Sequence, residues 1–129
     1  MLKEELTGKI IGAFYTVYNT LGPGFLEKVY ENALALELRN QGYTAEQQKR
    51  VQVFYNKQLV GDYFADIIVE GAVVLELKVA EAIAPEHEAQ LINCLKGTEI
   101  EVGLLLNFGP KPQFVRRVFA NERKNLPLD

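Results

Sequence analysis

Apolar residues recur at helical spacing along the first stretch of the chain, at Leu6, Ile10, Phe14, Val17 and Leu21, and Gly22-Pro23-Gly24 then interrupts them. This predicts a helix over 2–21. A second helix follows in FLEKVYENALALELRNQ, where Leu26, Val29, Ala33 and Leu36 form the expected core stripe and Gly42 the stop. The period then changes from 3.6 to 2. VQVFYN alternates, Asn56-Lys57 makes a short turn, and a long strand begins at Leu59; the chain turns again at Gly71 and returns through AVVLELKVA. Pro85 suits the first residue of a helix ending at Lys96, with Gly97 just beyond. EVGLLLNF has the continuous hydrophobicity of a strand buried on both faces, and QFVRRVFA reads as a final or edge strand. The order α, α, β, β, β, α, β, β predicts a single α/β domain over 1–129, with a mixed sheet flanked by helices.

The length of 129 residues suits one domain with a real core. The single cysteine, Cys94, has no CxxC or Cys/His companion, which argues against a disulfide framework or a structural zinc and suits a reducing compartment. The start MLKEELTGK has acids where a signal peptide needs bases, and the longest apolar runs are of strand length. The expected location is therefore cytoplasmic, with no membrane association. A net charge of −3 supplies no bulk attraction to nucleic acid but is compatible with acids that hold a metal. Bases are locally dense only at Lys49 and Arg50, and again at Lys111, Arg116, Arg117, Arg123 and Lys124.

Three charges interrupt the hairpin GDYFADIIVEGAVVLELKV: Asp66, Glu76 and Lys78. Side chains two apart on a strand share a face, so Glu76 and Lys78 point the same way. A three-residue loop Glu70-Gly71-Ala72 sets Val69 opposite Val73 and Asp66 opposite Glu76, while Ala65, Ile67, Val69, Val73, Leu75, Leu77 and Val79 make an unbroken core face. The charged face also carries Phe64, Ile68 and Val74. Two opposed carboxylates repel by roughly 0.2–1 kcal/mol, and by more where water is scarce. Either Lys78 bridges them as an ion-pair ladder, or they converge on Mg²⁺ or Mn²⁺ with Lys78 placed to meet charge developing on a phosphate.

The phrases LGPGFLEKVYENAL, ADIIVEGAVVLELK, HEAQLINCLK and EVGLLLNFG, in that order from about Ile10 to Phe119, resemble the GxxExxY family, grouped with the PD-(D/E)XK nuclease superfamily. The resemblance implies a restriction-endonuclease-like core with Asp66, Glu76 and Lys78 as the metal and catalytic centre. It adds Glu27 from the preceding helix and Gln90 from the following one. It makes Asp66, Glu76, Glu27 and a backbone carbonyl near Leu77 the metal ligands, with Mg²⁺ or Mn²⁺ as cofactor. Relatives with a Gln-x-x-x-Tyr signature carry a tyrosine where this chain has Cys94, so that signature is incomplete, and Tyr18 stands where the family phrase often has a histidine.

Each residue also has a plainer reading. Glu27 suits the first turn of a helix, and Tyr30 a half-buried packing position. His87 suits the surface, Gln90 a hydrogen bond to a strand, and Cys94 a small buried hydrophobe. On the third helix, His87, Gln90 and Cys94 share a stripe, with Leu91, Ile92 and Leu95 on its apolar side. The expected function is a metal-dependent nuclease hydrolysing phosphodiester bonds, with DNA ahead of RNA. The alternative is a nuclease-fold binding or assembly module with little or no catalysis. A homodimer would suit a duplex, because one small domain offers a short groove.

Overall fold

Asn56 and Lys57 both adopt positive φ, 49° and 65°, the pairing that lets a two-residue loop follow the twist of its strands. They close a long hairpin between β1 (Ala45–Tyr55) and β2 (Gln58–Val69). A computed structural model describes residues 3–124 and gives the further order α1 (Glu4–Leu21), α2 (Glu27–Asn40), β3 (Val73–Lys78), α3 (Pro85–Lys96), β4 (Val102–Asn107) and β5 (Gln113–Val118). α1 and α2 precede β1, and α3 lies between β3 and β4. Leu2, the expected start of the first helix, lies outside the described residues.

The five strands form one sheet in the order β1-β2-β3-β4-β5. All neighbours are antiparallel except β3 and β4, which run parallel from Val73↔Val102 to Lys78↔Asn107. A parallel pair needs a crossover, and α3 supplies it. Gly103 on β4 lets α3 sit close, because a Cβ there would lie 2.6 Å from Leu91 Cδ1.

Two cores form, one on each face of the sheet. α1 and α2 pack through Ile10, Phe14, Tyr30 and Leu34 onto Ile67, Val69, Leu75, Leu77, Leu104 and Leu106. α3 packs through Leu91, Cys94 and Leu95 onto Ile68, Val74 and Leu105. The expected stripe of the second helix is on the wrong side. Leu26 and Leu36 are 81% and 58% exposed, and the buried line is Tyr30, Leu34 and Leu38, with Glu31 and Ala35 beside it. Tyr30 prevails because its ring stacks on Phe108, with centroids 4.6 Å apart, while its hydroxyl donates to the Gly22 carbonyl and accepts the Phe25 N–H.

The β2–β3 loop is as expected, with Val69 opposite Val73 and Glu70 and Gly71 both at positive φ. The ladder stops at Ile67↔Leu75, so the expected backbone pairing of Asp66 with Glu76 is not made. Nor is the expected core face unbroken. Gln48 takes φ 52° and leaves the β1–β2 ladder opposite Asp66, so Ala65 packs on the α3 side, away from Ile67. Val79 lies beyond the end of β3 and is exposed. No helix among the described residues is long and apolar enough to cross a membrane.

The two apolar lines of α2 predict opposite mutational outcomes. Leu34→Ala is expected to cost about 2–5 kcal/mol in chemical denaturation, and Leu36→Ala to change stability by no more than about 0.5 kcal/mol.

Candidate functional site

Glu76 sits in the middle of β3, on the face covered by α3, among Val74, Leu91 and Leu105. Strand alternation puts it there: Leu75 and Leu77 face α1 and α2, so Glu76 must face the other way. It is 1% exposed. A lone carboxylate in such a place pays a large desolvation cost, and its partners show how the chain offsets it. The Cys94 Sγ–H donates to Glu76 Oε1 at 3.1 Å, and the Asp66 carboxyl is in hydrogen-bonding contact with the Glu76 carboxyl. Burial first, and the Asp66 charge next, push the Glu76 pKa up to about 8, against the Cys94 hydrogen bond and the pull of Lys78. At neutral pH, then, Glu76 holds a proton shared with Asp66. Burial first, then the neighbouring Glu76, raise the pKa of the Cys94 thiol, so it stays protonated and serves as a donor.

Asp66 is half-buried and replaces the missing ladder bond with its side chain. Its Oδ2 accepts the Leu77 N–H at 2.8 Å, and its Oδ1 faces Gln48 Nε2 at 3.4 Å. The Leu77 amide is therefore committed to Asp66, while the carbonyl is the atom that the family resemblance makes a ligand. Lys78 closes β3 on the same face as Glu76, half-buried. Asn107, fully buried at the end of β4, fixes the chain just after it: its Oδ1 accepts the Ala80 and Gly109 N–H groups and its Nδ2 donates to the Ala80 carbonyl, each at 3.0 Å. Phe108 N–H in turn donates to the Lys78 carbonyl at 2.8 Å.

Glu27 is the first residue of α2 and stands exposed. Partial desolvation first, then the Asp66 charge, raise its pKa, while Lys78 and His87 oppose the shift, so its carboxyl faces the same group of charges. It makes no hydrogen bond to Asp66 or Glu76, and no three His, Cys, Asp or Glu side chains are arranged to hold a metal ion among the described residues. The carboxyls that meet are two, Asp66 and Glu76. That pair suits a hard divalent cation, because only a proton or a cation relieves two carboxylates in contact.

The plainer readings fare unevenly. His87 Nδ1 accepts the Ala84 N–H at 3.0 Å, so the imidazole caps α3 and a neutral ring carries its proton on Nε2. Gln90 is exposed and makes no hydrogen bond among the described residues. Tyr30 is wholly buried and ties down the Gly22–Phe25 loop, and Tyr18 does the same for the Gly109–Pro110 carbonyls at 3.0 and 2.9 Å. Three further residues had no signal in the pattern. Glu31, 3% exposed, accepts from Gln47 and Gln48 at 2.8 Å each and from Lys28 at 3.0 Å. Gln48 thus joins Glu31 to Asp66. The only hint was that Glu31 lies one turn after Glu27, on the same face.

A family model described as the PD-(D/E)XK nuclease superfamily matches residues 4–118, a span that includes Glu27, Asp66, Glu76, Lys78 and Gln90. The chain belongs to the PD-(D/E)XK nuclease superfamily. Its five-stranded mixed sheet with helices on both faces is the restriction-endonuclease-like arrangement of that superfamily. Among solved structures it is similar in fold to the one titled "Crystal structure of SSO0001", with a TM-score of 0.54 and 16% identity, over 72% of this chain and 50% of that one. The chain thus spans about half the length of that protein. A search of curated proteins gave no match.

Glu76 sets a pH dependence on this superfamily member. A carboxyl whose folded pKa lies near 8, above its usual 4.5, favours the folded state fully below about pH 4.5, and that contribution disappears as pH rises toward 8. The metal-free protein is therefore expected to lose melting temperature between about pH 5 and pH 8. Glu76→Gln, which keeps the shape and stays neutral, should flatten that slope in thermal melts; an equally steep slope in the variant would refute the assignment.

Proposed function

We propose that this chain is a metal-dependent nuclease of the GxxExxY kind, one domain over 1–129, hydrolysing phosphodiester bonds in nucleic acid, DNA ahead of RNA. The observation that carries this reading is the contact of a buried Glu76 carboxyl with Asp66, two residues before Lys78. Asp66, Glu76 and the Leu77 carbonyl would hold Mg²⁺ or Mn²⁺, with Glu27 completing the acidic set from α2. Bound there, the ion supplies Lewis acidity toward a phosphate and a lowered pKa for water. The chain's own residues do the rest. Lys78 brings its ammonium to the non-bridging oxygens, where negative charge grows during phosphoryl transfer. Cys94, as a neutral donor, orients Glu76 without competing as a ligand. Gln90, with its amide unengaged, contacts substrate or solvent from α3. Asn107 keeps Lys78 in register as a positioning residue.

A second reading is a nuclease-fold binding or assembly module, favoured by the absence of a three-ligand metal cluster among the described residues. Either reading takes the protein to be cytoplasmic, where the buried Cys94 remains a thiol. Two copies would lengthen the groove available to a duplex.

Purified protein with Mg²⁺ or Mn²⁺ is expected to cut a panel of single-stranded, duplex and branched substrates, and Lys78→Ala to cut at least about 100-fold more slowly with an unchanged melting temperature. Calorimetry should show Mn²⁺ binding that Asp66→Asn abolishes. A Lys78→Ala protein as fast as the wild type sinks the catalytic role; no cutting and no Mn²⁺ binding by the wild type favours the binding module.

A further inference from the structure

The C-terminal end of α3, the outer part of the β1–β2 hairpin and the segment after β5 enclose an open cavity of about 480 Å³. Val53, Tyr63 and Phe119 provide apolar walls, Lys96, Arg123 and Lys124 provide charge, and no acid lines it. Elsewhere the basic residues are largely neutralised. Lys49 pairs with Glu46 at 3.1 Å, Arg50 makes a two-pronged pair with Asp62, and Arg117 pairs with Glu88. At the cavity the arrangement differs. Lys124 Nζ donates to the Thr98 and Ile100 carbonyls at 2.9 and 2.7 Å, drawing the chain after β5 against the end of α3. That holds the Arg123 guanidinium 4.7 Å and the Lys96 ammonium 5.5 Å from the centre of one ring, Phe119. Neither has a carboxylate partner among the described residues.

Two cations around a single ring repel each other, and cation–π attraction at an exposed site is weak compensation. In a chain of net charge −3, a concave apolar-walled site with three cations focuses positive potential where the rest of the surface supplies little. The cavity is separate from the carboxyl pair. Tyr63 O–H donates to the Asn93 carbonyl at 2.7 Å, and the next residue, Cys94, contacts Glu76 from the other side. One helical turn and one tyrosine divide the two sites.

We propose that this cavity binds the phosphate of a nucleotide unit, with Lys96 and Arg123 on the phosphate and the sugar or base against Val53, Tyr63 and Phe119. The unit belongs to a nucleic-acid strand or to a free mononucleotide. The strand source rests on the proposed nuclease reading; the mononucleotide source does not. A strand held here is gripped by residues other than those proposed to cut it.

The test is binding without catalysis. Fluorescence anisotropy of labelled single-stranded and duplex oligonucleotides is measured in EDTA with the full chain, alongside an AMP titration followed at the Gly97 and Phe119 amides by NMR. Lys96→Gln combined with Arg123→Gln removes two exposed side chains. It is expected to weaken strand binding at least about 10-fold and to lower the log–log salt slope by about 1.4 for a single strand, at about 0.7 per lost phosphate contact. Lys3→Gln with Lys9→Gln makes the same change in net charge on α1, on the opposite face of the sheet, and is expected to have under about a 2-fold effect. Loss of the AMP shifts in the double variant with strand binding intact assigns the site to a mononucleotide. Strand affinity and AMP shifts both unchanged, or no binding of either ligand by the wild type, overturns the proposal. EDTA removes divalent ions, so failure of cleavage by the wild type does not touch this readout.

Discussion

The structure turns on one unfavourable act, the burial of the Glu76 carboxyl inside an apolar layer and against a second carboxyl. A strand position facing α3 would ordinarily hold valine or leucine, as Val74 and Leu105 do nearby. Glutamate there is tolerable only with a proton, a hydrogen-bond donor or a cation, and the surroundings are arranged to offer them. Cys94 gives its S–H, Asp66 shares the proton, and Lys78 supplies positive charge one alternation further along. Each departure from regular geometry in this region lies within a residue or two of that contact.

Asp66 is the clearest instance. It abandons the β2–β3 ladder, and its carboxylate takes over the bond to the Leu77 amide. On its other side Gln48 adopts φ 52°, which a non-glycine residue accepts only where its surroundings insist. Its amide reaches both Glu31 and Asp66. The irregularity carries acids from α2 and β2 toward the end of β3, where the parallel β3–β4 pair, clamped by Asn107, gives a firm edge. A pair of carboxyls held by such a frame is poised between two states: protonated when alone, and charged when a cation replaces the proton.

Membership of the nuclease superfamily and likeness to a solved structure at 16% identity establish the fold, while the chemistry has to come from particular side chains. Here the acids and the unpaired cations are segregated. The acids gather at the end of β3; Lys96 and Arg123 gather around Phe119, behind Tyr63. For a polyanionic partner that separation is useful, because attraction is supplied away from the carboxyls that would otherwise repel it.

Much of the fold was legible from local pattern. Strand alternation, the Asn56-Lys57 turn, Pro85 and Gly97 around α3, and the β2–β3 loop all follow from backbone constraints acting within a few residues, so the element order and the approach of Asp66 to Glu76 could be read directly. The inward face of α2 could not. Both of its sides are apolar at helical spacing, and only the fit of Tyr30 onto Phe108, far along the chain, decides between them. The same holds for Glu31, Gln48 and Asn107, polar residues whose burial depends on partners brought in by other elements. Periodicity tells which residues share a face, because that is geometry within one element; what the face meets is decided by packing between elements, and no single stretch of sequence contains it.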